Sequence, residues 1–236
     1  MGRPLSSATA SGYRSLSLWH ATVDDLFTPR PSLPGPASYD VAIVGAGLTG
    51  LWTAYYLVKA DPSLRVTVLE AEVAGFGASG RNGGWCSALF PTPWAALVKA
   101  SSPGEALRLH RAMAGTVKEV GRVAEAEGID AHYQRGGTVT LARSPVQLAR
   151  ARQSVATAHE RGFTEDDERL LDRGEARAML AAEGVLGGTF TPHCAAVHPA
   201  RLVRGLARVV EAAGVAIFEQ TRVTGFERGA VDTEHG

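Results

Sequence analysis

The sequence predicts an α/β fold built on a parallel sheet, and three observations predict it. Asp40 to Gly50 reads as a buried strand, a glycine turn and the start of a helix. A second apolar run, Arg65 to Leu69, follows at the distance a crossover helix requires. Glu70 then stands at that strand's end, 20 residues after Gly50. Together these make a βαβ unit of the Rossmann-like, dinucleotide-binding kind.

Each element has a physical reason. Val41 to Val44 is apolar and rich in β-branched residues, as expected of a strand covered on both faces. Gly45 permits the tight turn out of it. Gly47 has no Cβ, so the backbone can approach a pyrophosphate. Gly50 lets the helix lie against the strand. The helix should run from about Leu48 to Ala60, turning its N–H groups and dipole toward the phosphates. Asp61-Pro62-Ser63 ends it, because proline cannot continue a helix. A carboxylate at Glu70 can accept hydrogen bonds from ribose hydroxyls and repels a 2′-phosphate, which disfavours NADP. Val41 to Val58 carries no charge and is just long enough to suggest a membrane span. Its glycines 45, 47 and 50, with Thr49 and Thr53 and the βαβ spacing, favour the globular reading.

The segment Gly75 to Cys86 has five glycines within residues 75–84. Such a loop offers backbone N–H groups and unusual φ angles to a bound ligand. Arg81 adds a charge for phosphate, and Ser79 and Asn82 add hydrogen-bonding groups. Phe76, Trp85 and Leu89 argue against a fully exposed turn.

At these residues the chain resembles a known family: FAD-dependent amine or amino-acid oxidoreductases of the D-amino-acid oxidase superfamily, in particular the gamma-glutamylputrescine oxidase-like branch. The resemblance is carried by Ser17-Leu18-Trp19, by Asp40 to Glu70, and by Gly77-Ala78-Ser79-Gly80-Arg81-Asn82-Gly83-Gly84. A weaker part is Val197 to Leu202 through Gly214-Val215 to Thr221-Arg222-Val223. The resemblance implies FAD as cofactor. It implies that Gly45, Ala46, Gly47, Leu48, Thr49 and Gly50 approach the FAD pyrophosphate, and that Glu70 and Ala71 lie at the adenosine ribose. Gly77, Ala78, Ser79, Arg81, Asn82, Gly83 and Gly84 would line the pyrophosphate and flavin side, and the Val223 backbone would touch the adenine.

The implied organisation is an N-terminal arm over residues 1–38, an FAD-binding domain over 39–112 and 197–236, and part of an α+β substrate domain over 113–196. The FAD-binding domain combines a parallel sheet with helices and a β-hairpin crossover. Family chains are longer, and a distal segment with a further glycine turn completes their flavin site. The expectation is therefore an incomplete FAD-binding domain in a C-terminally truncated chain.

Composition narrows the class. The 236 residues suffice for a sizeable core, and the formal net charge of zero makes no case for nucleic acid or an anionic membrane. Only three of the 24 basic residues are lysine, a bias that with abundant alanine suggests a bacterial, GC-rich coding sequence. Two cysteines do not make a disulfide framework, so a reducing cytoplasm is expected. Met1-Gly2-Arg3-Pro4-Leu5-Ser6 satisfies the loose myristoylation pattern, too short to carry weight. In the arm, Trp19, Leu26 and Phe27 are the residues expected to pin it to the body.

Further along, Ser102-Pro103-Gly104-Glu105 starts a helix that Gly128 ends, with His110 on its apolar stripe as a packed histidine. His132 to Ala142 reads as a strand pair, or a strand bulged at Gly136-Gly137. Pro145 to Arg161 is a helix, Asp172 caps another ending near Leu180, and Gly187 to Thr191 is a strand. Pro199 to Ala213 is a helix, Val215 to Phe218 a strand, and a hairpin turns about Arg228-Gly229. No internal repeat is visible. His193, Cys194 and His198 fit no standard zinc spacing and read as a structural loop. Cys86 reads as a packed small residue rather than a flavin attachment point.

The reaction implied is oxidation of the C–N bond of an amine or amino acid. The α-hydrogen passes to flavin as hydride, the imine hydrolyses, and oxygen or another acceptor reoxidises the flavin. The partner is then a small-molecule amine or amino acid, with no nucleic acid and no membrane. The rival readings are an NAD-linked dehydrogenase and a non-catalytic nucleotide-binding fragment. No catalytic side chain is assigned, and no metal is expected.

Overall fold

The structure, a computed structural model, describes residues 10–236. The myristoylation pattern lies outside them. In chain order the elements begin with α1 (Ala10–Arg14), α2 (Leu18–Thr22), β1 (Val41–Val44), α3 (Leu48–Ala60), β2 (Val66–Leu69) and α4 (Ala78–Arg81). Then come β3 (Trp85–Ser87), α5 (Trp94–Ala100), α6 (Pro103–Ala126), β4 (Thr138–Ala142), α7 (Pro145–Glu160) and β5 (Arg169–Leu171). The rest is α8 (Arg173–Met179), β6 (Gly187–Thr191), β7 (Cys194–Ala196), α9 (Pro199–Ala212), β8 (Ala216–Phe218), β9 (Val223–Glu227) and β10 (Ala230–Thr233). Among the described residues no helix is long and apolar enough to cross a membrane. The uncharged run from Val41 to Val58 is broken into β1, a turn and α3.

The chain divides into two compact units. Among the described residues the first comprises 10–84, 123–132 and 197–236. Its sheet is parallel, in the order β1-β2-β8. Helix α9 packs against α3 and α4, burying Leu202, Val203, Leu206 and Val210. Each such side chain contributes about 1.5–3 kcal/mol on leaving water. The second unit, residues 85–122 and 133–196, holds a three-stranded antiparallel sheet β4-β6-β5 and the pair β3-β7. The division thus falls after Gly84 rather than after residue 112. Strand β3 explains the difference, because Trp85, Cys86 and Ser87 pair with Ala196, Ala195 and Cys194.

Three sequence expectations need correction. Strand β1 is not covered on both faces: Val44 is 58% exposed, whereas all four residues of β2 are buried. In this unit β1 is an edge strand, as is β8, and Ala42 and Val44 line an open cleft of about 700 Å³ with Tyr39, Leu69 and Phe226. The arm is pinned to the body as expected, but only in part by the expected residues. Tyr13, His20, Val23 and Phe27 are all buried, and Tyr13, Val23 and Phe27 join Val73 and Ala200 in one apolar cluster. Leu26, expected to pin the arm, is instead 75% exposed. The third concerns residues 132–142, where the strand begins only at Thr138, after Gly137 at φ +74°. The segment before it makes a single bridge, Gln134 to Ala196.

Charge ties the arm down. Arg204 donates to both oxygens of Asp25 at 2.9 Å, and Arg30 donates to the fully buried Glu219 at 2.9 Å and to Glu211. Burial pushes the Asp25 carboxyl up, but Arg204, the Phe27 N–H and Arg208 outweigh it, and its pKa lies below the usual carboxylate value.

Candidate cofactor site

Two glycine turns of the first unit build the site, with one geometry. Gly45 leaves β1 at φ +96°, and Gly47 is the N-cap of α3. A Cβ on Gly50 would stand 2.1 Å from the Gly45 carbonyl oxygen. Gly75 has φ +81°, and Gly77 is the N-cap of α4. A Cβ on Gly80 would stand 2.1 Å from the Gly75 carbonyl oxygen. Gly75-Phe76-Gly77-Ala78-Ser79-Gly80 therefore repeats the spacing of Gly45 to Gly50, a repeat of six residues that the surrounding chain hides.

The two turns interlock. The Gly75 N–H donates to the Ala46 carbonyl at 3.0 Å, and the Leu48 N–H donates to Ser79 Oγ at 2.9 Å. Ser79 thus satisfies one of the N–H groups that the first turn of α3 leaves free. It also modifies the expectation for Gly47, whose bare side was reserved for pyrophosphate. A Cβ there would stand 2.9 Å from Ser79 Oγ, so the glycine first makes room for the serine. At Gly45, Gly77 and Gly83 an added Cβ would meet nothing within 4 Å. This open backbone beside the N-terminus of a 13-residue helix is a cradle that fits a dinucleotide phosphate chain.

Glu70 closes the other end. Its N–H donates to the Phe218 carbonyl at 2.9 Å, continuing the sheet. Its carboxylate accepts from the Ala46 N–H at 2.8 Å and the Glu72 N–H at 2.9 Å. The acid expected at a ribose is therefore first a tie between strand end and glycine turn, and each oxygen keeps a lone pair for a ribose hydroxyl. Burial pushes its pKa up, against those two N–H groups, with Glu219 and Glu72 adding to the rise. The half-buried Ala71 follows. The Thr221 N–H donates to the Glu70 carbonyl at 2.9 Å, which brings the start of β9, at Val223, beside the end of β2.

The remaining expected residues take different parts. Thr49 is exposed on the first turn of α3, and Ala78 is exposed on α4. The Arg81 guanidinium lies 5.0 Å over the Phe76 ring. Asn82 is occupied by the loop itself: Nδ2 donates to the Ala78 and Ser79 carbonyls, and Oδ1 accepts from the Gly84 N–H at 2.9 Å. Gly84, at φ +73°, is buried.

Sequence reasoning missed the supports behind the second turn. Glu219 accepts from the Ala74 N–H at 2.7 Å, and a Cβ on Gly75 would stand 2.4 Å from Val203 Cγ1. An acid directly after an apolar strand was the available signal for Glu219. Trp19 and His20 also reach this turn, and Trp19 lies in a stretch that carries the resemblance.

Outside the site, the residues of the His193-Cys194-His198 cluster have separate partners. His193 Nε2 lies 3.0 Å from Asp167, Cys194 is buried on β7, and His198 caps α9 through Nδ1. His110 packs edge-on against Phe163. Burial pushes the Cys86 thiol up, with Cys194 adding to it, so the thiolate is disfavoured.

Comparison with known proteins matches residues 40–236 to the family described as FAD dependent oxidoreductase. Gamma-glutamylputrescine oxidoreductase of Escherichia coli (strain K12) is 28% identical over 208 residues, covering 88% of this chain and 48% of that protein. Glycine oxidase of Bacillus licheniformis is 27% identical over 193 residues, covering 81% of this chain and 48% of the enzyme. Among solved structures, glycine oxidase from Geobacillus kaustophilus superposes with a TM-score of 0.65 at 26% identity, over 84% of this chain and 52% of that one. L-Amino acid deaminase from Proteus myxofaciens shares the fold, with a TM-score of 0.68 at 23% identity, over 88% of this chain and 44% of that one. The chain spans about half the length of the curated relatives it matches.

Proposed function

This chain belongs to the FAD-dependent oxidoreductase family, whose cofactor is FAD, and on that premise we propose that it forms the ADP-gripping part of an enzyme that oxidises the C–N bond of an amine or amino acid. The observation that carries the reading is the interlocked pair of glycine turns closed by Glu70. FAD held there supplies the hydride acceptor. The chain's own residues do the holding. The first-turn N–H groups and dipole of α3 face the pyrophosphate at Gly45, Ala46, Gly47, Leu48, Thr49 and Gly50. Glu70 and Ala71 receive the ribose, and the Val223 backbone meets the adenine. Gly77, Ala78, Ser79, Arg81, Asn82, Gly83 and Gly84 line the flavin side, with Arg81 offering positive charge. The reaction class is supported by the names of relatives that act on a glutamylated polyamine and on glycine. The product imine hydrolyses in water, and oxygen or another acceptor takes the electrons. The two free cysteines suit a reducing cytoplasm.

A longer protein that contains these 236 residues should purify yellow and release peroxide, or reduce a dye, with a polyamine or an amino acid. A colourless protein that binds NAD overturns the reading. The 236-residue chain alone should turn over none of these substrates and hold FAD weakly; amine turnover by it would show that these residues suffice for catalysis.

A further inference from the structure

Helix α4 has four residues, too few to hold a helical turn by its own hydrogen bonds. Two adjacent side chains of α2 hold it from behind. Trp19 Nε1 donates to the Asn82 carbonyl at 2.7 Å. Its ring reaches 3.3 Å from the place of a Cβ on Gly84 and stands edge-on to His198, centroids 5.0 Å apart. His20 is buried, with Nε2 3.3 Å from the Gly75 carbonyl and 2.9 Å from the place of a Cβ on Gly80. A carbonyl only accepts, so Nε2 carries the proton, and the buried Nδ1 has no partner. Residues 19 and 20 thus meet the second glycine turn at Gly75, Gly80, Asn82 and Gly84. The arm does not depend on these contacts for its place. Asp25 with Arg204, Arg30 with Glu219, and the Leu33 N–H on Thr221 Oγ1 anchor it separately.

We infer that Trp19 and His20 are positioning residues for the cofactor. They keep the turn from Gly75 to Gly84 in the shape that receives the flavin side of FAD. The inference rests on the cofactor site proposed above.

The test compares the 236-residue chain with Trp19→Phe, His20→Gln and, as a control on the exposed side of α2, Leu18→Ala. Three quantities are read: amide hydrogen exchange along the chain, the urea midpoint, and FAD affinity by equilibrium dialysis. Trp19→Phe keeps an aromatic ring but removes the donor and the part of the indole that reaches Gly84. It should speed exchange within residues 80–86 and weaken FAD binding about five- to tenfold, the effect of one hydrogen bond, with the urea midpoint lowered by no more than that one bond accounts for. His20→Gln should loosen residues 75–80 in the same way, and Leu18→Ala should change none of the three. Unchanged exchange in both variants overturns the inference, as does faster exchange with unchanged FAD affinity. A lowered urea midpoint with faster exchange throughout the chain also overturns it, because the role is then general stability. A wild-type chain that binds NAD in preference to FAD, while Trp19→Phe still loosens residues 80–86, sinks the cofactor-site reading itself, and the positioning role with it.

Discussion

Gly50 and Gly80 make the same close approach, an ideal Cβ lying 2.1 Å from a carbonyl oxygen five residues earlier. Around Gly50 the support is local. Ile43 of the preceding strand is the next neighbour, and the helix that follows runs 13 residues. Around Gly80 the support is remote. His20 stands at Gly80, Val203 at Gly75, and Trp19 with the Val197 carbonyl at Gly84. A six-residue turn followed by a long helix is organised by its neighbours in sequence. The same turn followed by four helical residues, besides its own Asn82 and its ties to the first turn, leans on side chains brought from both ends of the chain.

The largest effect should come from removing the remote support. Arg204 is buried, donates to Asp25 and to the Ala74 carbonyl, and so braces the residue before Gly75. Arg204→Ala leaves the Asp25 carboxylate buried with the Phe27 N–H and, as its charged partner, the more distant Arg208 at 3.3 Å. Urea denaturation should show a loss of about 3–5 kcal/mol. A loss near 1 kcal/mol would mean that the second turn stands without its remote partners.

Gly50→Ala should come next, at about 3 kcal/mol, because the blocking atom is backbone and the turn is locked between β1 and α3. Gly80→Ala meets an equal clash but should cost less, about 1–2 kcal/mol, because four helical residues can unwind. Equal losses in the two variants would erase the distinction between local and remote support.

Ser79→Ala cuts the tie between the turns by removing the acceptor for the Leu48 N–H. A loss of about 1 kcal/mol is expected, typical of a helix cap. No loss at all would show that the turns are independent.

The smallest effect is in pH dependence. The folded Asp25 carboxyl lies below its usual value, so its stabilisation is present above the ordinary carboxylate range and lost as pH falls through its folded pKa. Glu70 is shifted the other way, so its contribution is present at low pH and lost as pH rises through its folded pKa. The urea midpoint of the wild type should therefore fall on acidification more steeply than that of Asp25→Asn. Equal slopes would remove Asp25 from the account.

The βαβ unit was legible because its signals are short-range. Glycine spacing, a proline after the helix and an acid at the strand end all act within 31 residues, Asp40 to Glu70, and helix α3 spans Leu48–Ala60 as expected. Helices α7 and α9 and strand β6 were legible for the same reason, each carrying its own cap or break. Strands β3 and β7 were not, because three-residue strands carry no period and are defined by each other. In the arm Phe27 was legible as an anchor, but Leu26 is exposed and Tyr13 and His20 are buried instead, because the partners that cover them lie far along the chain.

By itself the sequence determined the dinucleotide grip: where the backbone must turn, where a helix N-terminus must stand, and which acid follows. Those are steric and hydrogen-bonding demands that a residue type meets or fails locally. Only the tertiary structure decided that Gly75 to Gly80 repeats the first turn, that Ser79 locks the two together, and that Trp19 and His20 stand behind them. Such choices depend on which side chains arrive across 31 to 63 residues of chain, and no local preference encodes that meeting.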